Sequence, residues 1–325
     1  MASWRLTTRR RSEDFQSWAG RGPVWDLDGV GLRAPVFYHR ADLFETIHLA
    51  SLDAVQDVLP SDDLYPVRWF DGRALVLLAA YRYQHVSAED ARGARQLLTP
   101  YGEISVAVVV TRGKPRRRGL GLVQAMISGG GGFILDLPVT TKQACDGGRT
   151  GYGLPKFVAD MDFTEEPGRR KVVLSEGETH ILTLEVRTGG PVLADHAPVT
   201  AYSVQRGRLI ETVVPVSGHR QSRRGAGSGH LLLGRHPVAD RLRTLEVVAE
   251  PLAVTSYLDA SFILPVGTPV GPARDYVGHL GRDRGRGRFT LSYPGTGPID
   301  LYRMPGRVDQ VPATVGVQQG QRAHA

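Results

Sequence analysis

The feature that most narrows the fold is a repeated alternation between short runs of Val, Leu and Ile and turns built from Gly and Pro. Such runs occupy residues 74–80, 104–111, 133–137, 171–174, 180–187, 208–214 and 245–249. Each is long enough for a strand and short for a helix, and the closely spaced turns send the chain back on itself. The pattern predicts an α+β fold that is mainly antiparallel β, a curved sheet or barrel with a few short helices. Two segments have helical character. One is 52–59, stopped by Pro60; the other is 87–98, where Ser87 and Asp90 take capping-box positions. No internal repeat and no clear linker interrupts the pattern. The expected organisation is a polar arm over residues 1–22, one domain over 23–303 and a flexible tail over 304–325.

Several function classes fall away on composition. No apolar run reaches the roughly 18 residues of a membrane-crossing helix. Arg9, Arg10 and Arg11 are followed by no apolar stretch, so no secretory or twin-arginine signal is read. Cys145, the single cysteine, can form neither an internal disulfide nor a cysteine-built metal site, which points to the cytoplasm. The net charge of +7 invites a nucleic-acid reading. Its clusters, Arg9 to Arg11, Arg116 to Arg118, Arg169 to Lys171, Arg223 with Arg224 and 282–288, lie scattered among Gly, Pro and Ser. No recognition helix, zinc knuckle or aromatic platform accompanies them, so they read as solvated loops.

Three further motifs fail on their context. Gly129 to Gly132 precede a strand-like run, whereas a phosphate cradle follows a strand and opens a helix; they read as a flexible turn. Ser228 has Gly on either side but Ala226 and His230 at the positions where a nucleophile elbow needs Gly. His219, His230 and His236 match no zinc spacing, and no metal or cofactor is expected.

Of forty basic residues only four are lysine: Lys114, Lys142, Lys156 and Lys171. A lysine kept in so arginine-rich a chain can do what arginine cannot, namely lose its proton and act as an amine nucleophile. Lys114 and Lys171 sit in basic patches, and Lys142 follows Thr140 and Thr141 in an apparent loop. Lys156 differs, with Leu154 and Pro155 before it, Phe157 and Val158 after it, and no charged neighbour until Asp160. Desolvation there disfavours the ammonium. Half deprotonation at pH 7 requires a fall of about 3.4 pKa units, or roughly 4.6 kcal/mol. The competing expectation is a stem packed on the core with its head in water.

Residues 148–156, Gly-Arg-Thr-Gly-Tyr-Gly-Leu-Pro-Lys, resemble the signature of the acetoacetate decarboxylase superfamily, in which Gly-Arg-Glu precedes an aromatic or Leu, Pro and the Schiff-base lysine. Companions follow in the same order. They are 51–55 closing with Pro60, the Tyr-x-Glu segment at Tyr101 to Glu103, and 231–239 followed by 245–248, so that the likeness covers about residues 35 to 270. It implies the family's curved β fold over the central domain, a homo-oligomer, and a small keto acid or ketone as the partner. By the resemblance Lys156 is the amine that condenses with a ketone and Glu103 the carboxylate beside it. Arg40 stands within one position of the substrate-binding arginine, and Tyr101 and Tyr152 fall into the pocket.

The sequence departs from the family pattern in three places. Phe157 stands where the decarboxylase carries a second lysine, so desolvation is left as the means of lowering the amine's pKa. Thr150 replaces the Glu of Gly-Arg-Glu, and 75–79, where an earlier glutamate is expected, holds no carboxylate. An iminium is an electron sink for decarboxylation, retro-aldol cleavage, aldol addition and dehydration alike. The resemblance therefore implies a Schiff-base lyase acting on a β-keto acid. An aldolase-dehydratase and a non-catalytic ligand binder on the same fold are the alternatives.

Overall fold

The computed structural model describes residues 22–27, 30–113 and 130–282. The expected arm (except Gly22), the tail, Lys114, Gly129, Arg9 to Arg11, Arg116 to Arg118 and all but Arg282 of the 282–288 cluster lie outside the described residues. The first half of the chain forms β1 (Val24–Leu27), β2 (Val30–Ala50), α1 (Leu52–Val58), β3 (Leu64–Pro66), β4 (Ala74–Asp90), β5 (Arg95–Leu98) and β6 (Tyr101–Arg112). There follow β7 (Gly131–Val139), α2 (Lys142–Tyr152), β8 (Lys156–Val158), β9 (Asp160–Glu166), β10 (Arg169–Glu176), β11 (Thr179–Arg187) and β12 (Leu193–Asp195). The last third holds β13 (Val199–Gln205), β14 (Arg208–Val214), β15 (Val216–Arg224), β16 (Gly229–Leu233), α3 (Pro237–Thr244), β17 (Ala253–Leu264) and β18 (Thr268–Pro272).

Among the described residues fourteen strands make one large sheet with the central order β12-β15-β17-β2-β4-β6-β7-β13-β14-β18. Strands β1, β3, β5 and β8 attach to its sides, and β16-β11-β10-β9 form a second sheet. Pairing is antiparallel throughout except where β13 and β8 run parallel to β7. The ladder has two ends, so the expected curved sheet is present but is not closed into a barrel. Strands β14 and β15, separated by Pro215 alone, lie next to the two end strands β18 and β12. A proline has no N–H to give a ladder, so the run is interrupted there and its two halves serve opposite ends of the sheet.

Period-two alternation assigns the two faces. Val76, Leu78 and Ala80 of β4 and Ile104, Val106 and Val108 of β6 enter the main core. That core is closed by the second sheet through Val172, Leu182 and Leu184, by α1 through Val55 and by α3 through Val238 and Leu242. Tyr81, Tyr83, Glu103 and Ser105 take the opposite face and line the concave interior. In β7 the pairing with β6 slips by one residue between Ile134 and Asp136, leaving Leu135 without a partner. This bulge puts Asp136 on the core side, fully buried, where Arg241 of α3 donates to it.

Three local expectations are corrected. Residues 87–98 are not helical: 87–90 complete β4, and β5 pairs back on it with Val86 opposite Leu98. Asp90 caps a tight turn instead, its Oδ1 accepting from Arg92 N and Ala94 N at 2.8 Å, while Gly93 takes a φ of +82°. Residues 245–249 are not a strand. They leave the C-terminus of α3 through Glu246 at φ +52° and make single bonds from Val248 N to Leu49 O and from Leu231 N to Ala249 O. Gly131 and Gly132 belong to β7 rather than to a turn.

Candidate active site

Lys156 is delivered by a helix that stops sharply. Thr141 caps α2 by accepting from Ala144 N at 3.3 Å. At the far end Gly153 adopts φ +62°, and Leu154 N returns to Gly148 O at 3.1 Å, closing the last turn. A Cβ on Gly153 would stand 2.5 Å from Val204 O, so glycine is required there by space as well as by φ. Pro155 prevents the helix from resuming, and Lys156 begins β8 opposite Leu137 of β7. Arg149, one turn before the helix end, donates its Nε to Lys156 O and ties the strand to the helix.

The lysine stem lies against α2 where the helix has no side chain. A Cβ on Gly148 would meet Lys156 Cδ and Cε at 2.5 Å. The ammonium then reaches Glu103 of β6, donating to Oε2 at 2.6 Å, with Lys156 3% and Glu103 7% exposed. A buried pair of this kind is held by geometry, because neither partner has water to fall back on. Tyr83 donates to the other carboxylate oxygen, Oε1, at 3.2 Å. The Tyr101 ring lies 5.4 Å from Nζ, within cation–π range, and its hydroxyl is 3.0 Å from that of Tyr38. Burial first, and the Glu103 charge with it, pushes the phenols of Tyr38, Tyr83 and Tyr101 well above their ordinary value. They are protonated at physiological pH, Tyr83 donating to Glu103 while Tyr38 and Tyr101 share one hydrogen bond between their hydroxyls.

Two clefts converge on Lys156. One, of about 590 Å³ including open water, is walled by α2, β2 and β5 and includes Arg33, Tyr38, Tyr101, Gln143, Gly148 and Tyr152. The other, of about 760 Å³, is the concave interior of the sheet, with Tyr83, Glu103, Ser105, Ser203, Thr212 and Phe262 among its walls. Tyr38, Tyr152 and Leu264 line both.

Of the residues singled out in the sequence, Lys156, Glu103, Tyr101 and Tyr152 are brought together and Arg40 is not. Arg40 is exposed and lines neither cleft. Unbroken alternation would put it on the face of Tyr38, two residues earlier. Irregular pairing between β2 and β4 on either side of Arg40 breaks the alternation and turns it outward. Phe157 points away from Lys156 into the main core, edge-on to His279 with ring centroids 4.7 Å apart. Tyr38, Tyr83, Gln143 and Arg33 were missed. The alternating Tyr81-x-Tyr83 in β4 was the one local signal available, and it is read only once that strand is placed beside Tyr101.

A separate buried cluster joins Glu176, His236 and His279, whose ligand-type atoms all lie within 4.8 Å of one another. Both histidines present Nε2 to Glu176 Oε2 at 3.1 Å. Val238 N donates to His236 Nδ1, so the neutral ring carries its proton on Nε2. Metal binding at Nε2 would move that proton to Nδ1 and undo the cap of α3. Burial opposes the charge on Glu176, but bonds from Arg282 N and the two imidazoles hold its carboxyl below the usual value. The cluster fastens the segment that carries His279 and Arg282 to the second sheet.

A family model described as acetoacetate decarboxylase matches residues 30–270. A search of curated protein sequences returns no match. Among solved structures, the acetoacetate decarboxylase of Legionella pneumophila subsp. pneumophila str. Philadelphia 1 aligns with a TM-score of 0.55 at 17% identity, over 78% of this chain and 92% of that one. A second acetoacetate decarboxylase structure aligns with a TM-score of 0.54 at 18% identity, over 74% and 91% respectively. At these identities the structural likeness establishes the fold.

Proposed function

The chain belongs to the acetoacetate decarboxylase family, and from that premise we propose that it is a Schiff-base lyase whose Lys156 takes a keto acid. The observation that carries the reading is the buried Lys156–Glu103 pair at the junction of two clefts. An amine must be unprotonated to attack a carbonyl, and at 2.6 Å its proton can pass to the carboxylate without a water between them. The free amine adds to the ketone carbon, one of its two hydrogens passes to the oxygen, and Glu103 returns the second proton with which that oxygen leaves as water. The resulting iminium carries a positive charge that the Tyr101 ring face stabilises.

In a β-keto acid the bond to the carboxylate then breaks. Its electron pair moves into the iminium to give an enamine, and carbon dioxide departs. Protonation of the enamine carbon and addition of water release the shortened ketone and restore the amine. The protonated phenol of Tyr83 holds the Glu103 carboxylate and the Tyr101 ring faces the reacting centre, and the sequence of steps requires no metal or cofactor.

One observation favours a second reading on the same lysine. Two clefts reach Lys156, so an enamine formed in one could add to an aldehyde held in the other, which is aldol chemistry. Borohydride trapping with acetoacetate and pyruvate, read by intact mass, tests the shared step. An adduct that disappears in Lys156→Ala supports it, and no adduct with either acid between pH 6 and 9 overturns it. Carbon dioxide release from acetoacetate separates the lyase from the aldol reading and from a non-catalytic binder.

A further inference from the structure

We propose that the cleft walled by α2 receives the non-reacting end of the substrate, and that this end is a carboxylate held by Gln143 together with Arg33. The proposal rests on reading Lys156 as the carbonyl-binding amine, and it adds the class of molecule that the site selects: an oxo acid with a carboxylate remote from the carbonyl and from the bond that breaks.

Gln143 is the second residue of α2. Its Oε1 accepts from Thr99 N at 3.1 Å, which fixes the amide orientation and sends Nε2 the other way. That Nε2 is buried and meets no acceptor of the protein among the described residues, although Gln143 lines the cleft. A buried amide N–H left unmade is costly, and folded proteins keep few of them. An acceptor oxygen on a ligand supplies the missing partner.

Arg33 lines the same cleft. Its Nη1 donates to Gly22 O at 3.2 Å and its Nη2 to Ala91 O at 3.1 Å, so the guanidinium is held in place from two sides. Each of those nitrogens carries a second hydrogen. The charge of the cleft points the same way. Among the described residues no Asp or Glu lines it, whereas Glu103 lines the other cleft. An anion is therefore favoured beside α2 and disfavoured beside Glu103. Leu32, Val36, Val86 and Leu98 make the remaining wall apolar, suited to the carbon chain between carbonyl and carboxylate.

The test compares levulinate, a stable ketone with a remote carboxylate, with 2-pentanone, its uncharged counterpart. Half-saturation of borohydride trapping is measured for the wild type, Gln143→Glu and Arg33→Met. The expected result is a tenfold or greater preference of the wild type for levulinate, lost in both variants while trapping of 2-pentanone is retained. Equal half-saturation for the two ketones in the wild type, or a preference that survives both substitutions, overturns the proposal and leaves the role of Lys156 standing.

If the wild type traps neither ketone, the Lys156 reading is what fails. Calorimetry with pentanoate and pentanamide then decides the present proposal. Preference for the acid that vanishes in Gln143→Glu supports it, and no preference overturns it. A variant that loses trapping of both ketones equally has a disturbed site and counts against the proposal unless Gln143→Met keeps 2-pentanone trapping and loses the preference.

Discussion

Gly148 and Lys156 are in such close contact that a single added carbon on the glycine would fall 2.5 Å from two methylenes of the lysine. Helix α2 tolerates the glycine, at a propensity cost of about 1 kcal/mol relative to alanine, at the place where the stem must cross. Gly148→Ala is expected to leave the fold intact and to move Nζ off Glu103. Trapping by borohydride should fall at least tenfold, with a loss of about 1–3 kcal/mol in denaturant unfolding from overpacking. Trapping at the wild-type rate would show that the stem yields without moving the amine.

Glu103 and Tyr83 differ in what their removal should do. Glu103→Gln takes away the acceptor 2.6 Å from Nζ, and turnover is expected to fall by about 10²- to 10³-fold. Tyr83→Phe removes one hydrogen bond to Oε1 and leaves the pair in place, so a drop of about tenfold is expected. Steady-state rates of carbon dioxide release, with trapping as the independent readout, check the order. Equal losses in the two variants would argue against a proton-transfer role for Glu103.

Glu45 of β2 gives the protein a pH-dependent stability away from the lysine. Burial first, then the charge of Asp195, raises its carboxyl from 4.5 to about 7, against the pull of Arg220. The folded chain therefore keeps a proton that the unfolded chain releases near pH 4.5. Stability from this group is full below that pH and is lost as pH rises through about 7. Glu45→Gln has no charge to bury. Its melting temperature should exceed that of the wild type by more at pH 8 than at pH 5, by a free energy of up to about 3 kcal/mol. A difference independent of pH would remove Glu45 as the cause.

Asp136, fully buried, accepts from Arg241 and from His279 N. Arg241→Met should destabilise by about 3–5 kcal/mol, because it leaves a carboxylate in the core without its cation. Adding Asp136→Asn to that variant should recover part of the loss. Urea unfolding of both variants measures it, and a single variant within about 0.5 kcal/mol of the wild type would contradict the pairing.

Much of this molecule was readable along the chain because the signals are local. Residues 208–214 form β14 as expected, and helix 52–59 ends where Pro60 forces it to. Lys156 stood out through its apolar neighbours and the motif before it, and its partner Glu103 through the Tyr-x-Glu segment. The errors also have local causes. Ser87 and Asp90 have the spacing of a helix cap, but the same carboxylate satisfies a tight turn, and a positive-φ glycine at 93 decided between them.

By itself, then, the sequence determined the class of fold, its turn-rich β character, and the lysine around which the candidate site is drawn. Side-chain alternation, stop signals and apolar setting act over a few residues. What only the tertiary structure decided is who stands opposite whom. The irregular pairing of β2 beside β4 turned Arg40 to the solvent, and the bulge at Leu135 buried Asp136. Gly148 became a passage for the lysine, and Gln143 acquired a cleft to face. Each of these depends on strand register or on contacts between segments far apart in the chain. A slip of one residue moves a side chain to the other face of a sheet, and no local pattern records it.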